Sequence, residues 1–177
     1  ILNNDNTINV GDLLMVIKNN YFWLNNKTDI GFIANGDIIK IEEIHNIKQL
    51  YGFKFAEVKI SMVDYPKIDH LETVLILDSL YINSSALDFN TMNKLYQEIL
   101  KDYMNVKTKY KRHLAVKNNS FFNALQVKFA YSFTCHKSQG GQWESIFLEY
   151  PYLPNGMDED FLRWLYTAVT TAKNKLN

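Results

Sequence analysis

Three segments rich in isoleucine and valine between residues 38 and 77 constrain the fold more than any other feature. They are Ile38–Ile44, Lys54–Val63 and Leu71–Leu77. Apolar and polar residues alternate from Ala56 to Met62, a period typical of a strand with one buried face. Asn35-Gly36-Asp37 comes before them as a turn, since Gly and Asn accept positive φ at little cost. Short strands separated by turns predict a small antiparallel β-barrel.

The segments on either side of these strands follow other patterns. Asp12–Lys18 is a short apolar run that predicts a buried strand. Asp88–Tyr103 has apolar residues at helical spacing, whereas residues 104–120 have few apolar repeats and are interpreted as a basic connector. The remaining predicted elements are strands at Val127–Cys135 and Ser145–Glu149 and a helix at Asp158–Lys175. This order predicts an α/β unit outside the barrel.

The last predicted helix is amphipathic and has acidic residues at its start. Its expected apolar face consists of Leu162, Leu165, Val169, Ala172 and Leu176. Asp158, Glu159 and Asp160 lie where the helix dipole favours negative charge. We therefore interpret these three acids as a helix start and not as a nuclease site.

Charge is distributed unevenly, although the net charge is zero. Residues 1–100 carry a net −5, residues 101–140 a net +7 and residues 141–177 a net −2. Lysines and aromatic residues are interspersed in the middle block, and basic side chains neutralise phosphates while aromatic faces stack on bases. This block indicates single-strand nucleic-acid binding or, alternatively, a solvated basic loop followed by a core strand.

Several classes of protein are disfavoured by composition. The single cysteine, Cys135, excludes an intramolecular disulfide and fits a reducing cytoplasm. No Cys/His cluster has zinc-ligand spacing, and no apolar run approaches the roughly 20 residues of a membrane span. We expect a cytoplasmic protein without a metal site and without a membrane partner.

The segment from Thr134 to Trp143 is the most informative for chemistry. It follows a predicted strand, and open α/β sheets bind ligands beyond the carboxyl ends of their strands. The potential donors to phosphate oxygens are Thr134, His136, Lys137, Ser138 and Gln139. Gly140 and Gly141 would let a backbone approach closely. A strand-to-helix turn with a partly buried histidine explains the same pattern, so both interpretations stay open.

Two stretches resemble motifs of RecD-type superfamily 1 DNA helicases, the family of the exodeoxyribonuclease V alpha subunit. Residues 129–140 (Phe-Ala-Tyr-Ser-Phe-Thr-Cys-His-Lys-Ser-Gln-Gly) resemble motif V, and residues 164–173 (Trp-Leu-Tyr-Thr-Ala-Val-Thr-Thr-Ala-Lys) resemble motif VI. Residues 11–21 with Asn35-Gly36-Asp37 resemble the entry to that family's small barrel. The resemblance implies an α/β fold: the C-terminal part of the second RecA-like P-loop NTPase domain, with an inserted SH3-like antiparallel β-barrel.

The resemblance also implies a domain organisation. Residues 1–34 would supply strands of the RecA-like domain, and residues 35–85 would form the SH3-like barrel, which would help to guide or grip DNA. Residues 86–177 would contain a helix, the basic connector and the C-terminal part of the RecA-like domain with motifs V and VI.

Site residues are carried over by their positions in the two motifs. The implied DNA-binding residues are Thr134, His136, Lys137 and Ser138. The implied ATP-cleft residues are Gln139, Gly140, Gln142, Tyr166, Thr167 and Thr170. Thr171 occupies the position of the usual arginine finger and cannot supply its charge. Arg163 lies eight residues earlier, about 12 Å along a helix, too far to replace it. No catalytic residue is expected in this chain.

The sequence contains no Gly-x-x-x-x-Gly-Lys-Ser/Thr loop to hold the β- and γ-phosphates. We expect the chain alone to be inactive and to bind neither ATP nor Mg²⁺ tightly, whereas the intact parent helicase would use both. The implied partners are single-stranded DNA, the missing N-terminal RecA-like domain and other exonuclease V subunits. Two alternatives stay open: a non-catalytic single-stranded nucleic-acid-binding module derived from a helicase, and a structural β-barrel interaction domain.

Overall fold

The computed structural model describes residues 7–24, 31–132, 135, 143–149, 152–153 and 156–176. The chain divides into two units, Ile1–Tyr131 and Ser132–Asn177. The first contains β1 (Leu13–Val16), β2 (Ile38–Leu50), β3 (Phe53–Met62), β4 (Leu71–Ile76), a 3-10 helix (Leu77–Tyr81), α1 (Phe89–Asp102), α2 (Lys109–Lys117) and β5 (Leu125–Phe129). The second contains β6 (Trp143–Ile146), α3 (Glu159–Thr170) and β7 (Ala172–Leu176).

Five strands of the first unit form a small closed barrel in the order β1-β2-β3-β4-β5. The predicted strands in residues 38–77 are confirmed as β2, β3 and β4, and these alone would leave two open edges. β1 pairs with both β2 and β5, and β5 also pairs with β4. The barrel therefore extends on both sides of the predicted range 35–85. The β4–β5 pair is parallel, so the barrel is not wholly antiparallel as predicted.

Alternation along the strands separates two hydrophobic cores. Ala56, Val58 and Ile60 of β3 belong to the core that also holds Leu14 of β1 and Val127 of β5. The neighbouring position, Phe55, belongs to a second core with Val74, Ile76, Leu95, Ile99 and Val116. Because successive side chains on a strand point to opposite faces, β3 and β4 bury one face inside the barrel and the other against α1 and α2.

The turn between β2 and β3 consists of Tyr51 and Gly52, which both have positive φ. A two-residue hairpin turn with this geometry matches the twist of the flanking strands. The unusual conformation of Tyr51 is held by its hydroxyl, which donates to Asp102 over 2.5 Å. Desolvation raises the pKa of Tyr51 to about 12, with a further contribution from the Asp102 bond. The hairpin is thereby fixed to the end of α1.

The helix predicted at Asp88–Tyr103 is confirmed as α1, whose first turn is capped by the Asp88 carboxylate. The interpretation of residues 104–120 as a connector is wrong, because they contain α2. Thr108 caps that helix by accepting from Lys111 N, an N-cap signal that was available in the sequence. α2 was missed because Val116 is its only buried residue, too few for a recognisable apolar stripe.

The second unit contains a pair of parallel strands and the helix α3. β6 and β7 are parallel and α3 lies between them in sequence. The start of the helix predicted at Asp158–Lys175 is confirmed. Its predicted end is wrong, because residues 172–176 form β7. β5 ends at Phe129, earlier than the predicted strand, and Cys135 is helical. Among the helices in the described ranges, none has the length and apolarity to cross a bilayer.

Candidate functional site

The predicted polar loop lies outside the described residues. Its site residues are Thr134, His136, Lys137, Ser138, Gln139, Gly140 and Gln142. The structure does describe Trp143, which directly follows that loop in sequence. The backbone N–H of Trp143 donates to the carbonyl of Thr171 over 2.9 Å. The residue after the predicted motif V loop therefore contacts the end of the predicted motif VI helix.

The motif VI helix, α3, is capped and then buried along one stripe. Asp158 accepts from the backbone N–H of Phe161 over 2.7 Å, which satisfies one of the unpaired donors of the first turn. This supports the interpretation of the acidic cluster as a helix start. Phe161 and Ala168 are buried, seven residues apart, and Trp164 stacks on Phe161 at 5.7 Å between ring centroids.

The predicted apolar face of this helix is wrong in its rotation. Leu162 and Val169 are exposed, and each lies about a quarter turn around the helix from Phe161. The error came from leaving out Phe161 and Trp164, whose large rings dominate the burial of an amphipathic helix. The residues i, i+3, i+4 and i+7 from Phe161 mark the correct face.

Of the predicted cleft residues, Tyr166, Thr167 and Thr170 fall on the less buried side of α3. Tyr166 is 73% exposed. The hydroxyls of Thr167 and Thr170 donate to carbonyls one turn earlier, those of Arg163 and Tyr166, over 3.0 and 2.9 Å. Their protons are thereby engaged within the helix, while their oxygens can still accept a hydrogen bond.

Thr171, at the position of the usual arginine finger, is only 5% exposed. Its hydroxyl donates to Ala168 O over 2.6 Å, and the residue forms the C-cap of α3. Hydroxyl bonds of this kind satisfy the last carbonyls of a helix. In this geometry Thr171 ends the helix and contacts β6, and its side chain does not face solvent.

Arg163 does not compensate for the missing arginine in the described geometry. Its guanidinium contacts Glu159 at 2.7 Å and Asp160 at 3.2 Å. Both partners lie in the first turn of α3, so the side chain reaches away from Thr171. All three side chains are exposed, and a surface ion pair of this kind contributes little stability.

The basic segment of the first unit forms an exposed helix. Lys109, Lys111 and Lys117 are exposed, and Tyr110 is 75% exposed. These lysines have no carboxylate partner among the described residues. Lys109 and Lys117 are eight residues apart and therefore lie along one side of α2. This surface can neutralise phosphates.

The aromatic residues near this helix are mostly structural. Phe121 packs on Phe55 with ring centroids 5.2 Å apart, and Phe122 packs on Tyr96 at 5.9 Å. These two residues therefore fit the alternative interpretation, in which the aromatic side chains are part of the core, better than the interpretation as a surface that stacks on bases. Within the described ranges, no three His, Cys, Asp or Glu side chains lie close enough together to hold a metal ion.

Part of the chain matches a known protein family. Residues 129–177 match the family model described as UvrD-like helicase C-terminal domain. The matched range begins at the last residue of β5 and includes β6, α3 and β7. It supports a superfamily 1 helicase C-terminal region at this end of the chain. No curated protein matches the chain.

Proposed function

We propose that this chain is the C-terminal portion of a RecD-type, ATP-dependent DNA helicase. The match of residues 129–177 carries this proposal. The parallel β6–α3–β7 arrangement agrees with part of a RecA-like domain, and the five-stranded barrel agrees with an SH3-like insertion. In the complete enzyme, an exonuclease V alpha subunit or a relative of it, a preceding RecA-like domain supplies the phosphate-binding loop.

Within this proposal the two motifs have separate tasks. Thr134, His136, Lys137 and Ser138 contact the phosphates of single-stranded DNA. Gln139, Gly140 and Gln142 connect this contact to the nucleotide cleft, and the Trp143–Thr171 hydrogen bond supports a mechanical link between them. Closure of the two RecA-like domains on ATP would thus change the grip on DNA.

The described residues fit only part of a nucleotide cleft. Tyr166 offers an exposed ring, and Thr167 and Thr170 offer hydroxyl oxygens as acceptors. The one cation of α3, Arg163, is paired with acids of its own helix. These groups suit the base or sugar of a nucleotide and do not suit its phosphates or Mg²⁺. We therefore assign phosphate binding to the rest of the enzyme.

A second candidate function, a non-catalytic single-stranded nucleic-acid-binding module, is favoured by α2. Phosphate binding by the exposed lysines of this helix requires neither the second unit nor ATP. The two proposals agree that the chain binds single-stranded DNA, and they differ in whether the complete protein hydrolyses ATP.

Both proposals predict weak, salt-sensitive binding of single-stranded DNA by the 177-residue chain. Each lysine that contacts a phosphate contributes about 0.7 to the slope of log affinity against log salt concentration. Lys109→Glu and Lys117→Glu should each lower affinity and reduce that slope by about this amount. Fluorescence anisotropy of a labelled oligothymidine over a range of salt concentrations measures both quantities.

Lys67→Glu is the matched control, because it makes the same charge change at an exposed turn residue outside α2. It should leave the slope unchanged. Equal effects of all three substitutions would show that only net charge matters, and unchanged slopes in all three would remove α2 from the DNA interface.

A further inference from the structure

A cavity of about 350 Å³ opens on the first unit, beside the barrel. Its walls come from the residues that follow β1, from α1 and from the segment that leads into β5. This volume lies within the range of about 300–1,000 Å³ that is usual for small-molecule sites. None of the described motif V or motif VI residues lines this cavity.

A buried amide with a weak partner lines this cavity. Gln126 is 5% exposed, and its Oε1 accepts from the backbone N–H of Leu87 over 2.9 Å. Among the described residues its Nε2 donates to the sulfur of Met92 alone, at 3.5 Å, and a thioether is a poor acceptor. Met92 lines the same cavity. A ligand oxygen or ring nitrogen would satisfy this amide better than the sulfur does.

The wall around Gln126 is held in place by its own hydrogen bonds. The Asn123 carbonyl accepts from Asn20 Nδ2 at 2.8 Å and from Trp23 Nε1 at 2.9 Å. The Asn123 side-chain amide donates to the carbonyls of Lys117 and Asn119. These contacts fix the cavity before any ligand binds, which lowers the entropic cost of binding.

Aromatic faces and an exposed lysine surround the opening. Tyr21 is 63% exposed and stacks on Phe32 with ring centroids 5.0 Å apart. Phe122 forms another part of the wall. Lys18 is exposed and has no carboxylate partner among the described residues. The lining thus combines ring faces, an amide donor and an ammonium group.

We propose that this cavity binds one nucleobase of a single-stranded polynucleotide. A base has a flat face that can stack on Tyr21 and edge acceptors for Gln126 Nε2, and its neighbouring phosphate would meet Lys18. A purely apolar ligand would leave the buried amide with the weak Met92 sulfur as its acceptor. The Asn123–Lys117 hydrogen bond connects this wall to α2, whose lysines can contact the adjoining phosphates.

The test compares the affinity of the chain for two oligomers: an oligothymidine of about 10 nucleotides, and the same oligomer with one central abasic site. This length lies within the ~4–16-nucleotide site size of single-strand binders. 2-Aminopurine at that central position reports stacking. The 177-residue chain should bind the base-containing oligomer about 5- to 150-fold more tightly than the abasic one, the range for one stacked base. Its 2-aminopurine fluorescence should be quenched on binding.

Tyr21→Ala should remove most of this affinity difference and of the quenching. Lys18→Ala should weaken both oligomers equally, because it removes a phosphate contact. Tyr81→Ala, a change at another exposed tyrosine of the first unit that does not line the cavity, should keep the difference. All three residues are exposed, and circular dichroism with wild type as the reference checks that each variant folds.

Equal affinity of the wild-type chain for the two oligomers would overturn the proposal, as would a difference that survives Tyr21→Ala. A deoxynucleoside monophosphate that competes as strongly as the oligomer would assign the cavity to free nucleotides and also overturn it. The result is independent of ATP hydrolysis, so failure of the helicase proposal and failure of this one can be told apart.

Discussion

In the complete protein, replacing His136 with alanine is expected to lower DNA-stimulated ATP hydrolysis by about 5- to 150-fold, the usual size of a coupling between two sites. Hydrolysis without DNA should change little. In our proposal the motif V loop holds DNA and joins the motif VI helix through Trp143 and Thr171. The measurement is steady-state phosphate release with and without single-stranded DNA.

His70→Ala is the control for this experiment, because His70 is an exposed histidine of the first unit. It should leave both rates unchanged. An equal loss of basal and stimulated hydrolysis in the His136 variant would contradict a role in coupling, and would instead indicate a general defect of the cleft.

Phe55→Ala is expected to lower the free energy of unfolding of the 177-residue chain by about 3–5 kcal/mol. Phe55 is fully buried and belongs to the core between the barrel and its helices. Truncation leaves a cavity where the ring packs on Phe121. Urea denaturation followed by far-ultraviolet circular dichroism measures this loss.

Phe89→Ala removes the same side chain at a position that is 82% exposed. It should change the free energy of unfolding by less than about 0.5 kcal/mol. A loss of similar size in both variants would mean that Phe55 is not packed as described, and that α1 and α2 are not held to the barrel by this core.

The parts of the fold that sequence predicts well are those with local signals. β2, β3 and β4 have period-two alternation, and α1 has helical spacing and an Asp88 cap. The closure of the barrel has no such signal, because β1 and β5 are more than a hundred residues apart and pair only in the folded unit. Long-range pairing of this kind depends on the whole topology.

The error at the end of α3 has a different physical origin. Residues 172–176 continue a plausible helical spacing, but Thr167, Thr170 and Thr171 precede them. β-Branched residues lower helix propensity, and their hydroxyls bind the carbonyls of the preceding turn. Pairing with β6 then favours a strand, a tertiary effect that helical periodicity does not reveal.

The sequence suggested a helicase C-terminal region, and residues 129–177 match the family model of a UvrD-like helicase C-terminal domain. The roles of the individual residues in motifs V and VI stay predictions. The cavity at Gln126 could not be predicted, since Lys18, Met92 and Gln126 come from distant segments. Such a site exists only after the barrel and α1 have packed together.

Hydrolysis of ATP by the protein expressed from its complete reading frame tests the central claim most directly. We expect hydrolysis that single-stranded DNA stimulates in the complete protein, and none in the 177-residue chain, whose sequence has no phosphate-binding loop. A complete protein that binds single-stranded DNA without hydrolysing ATP would contradict the helicase proposal and leave the non-catalytic binding module in its place.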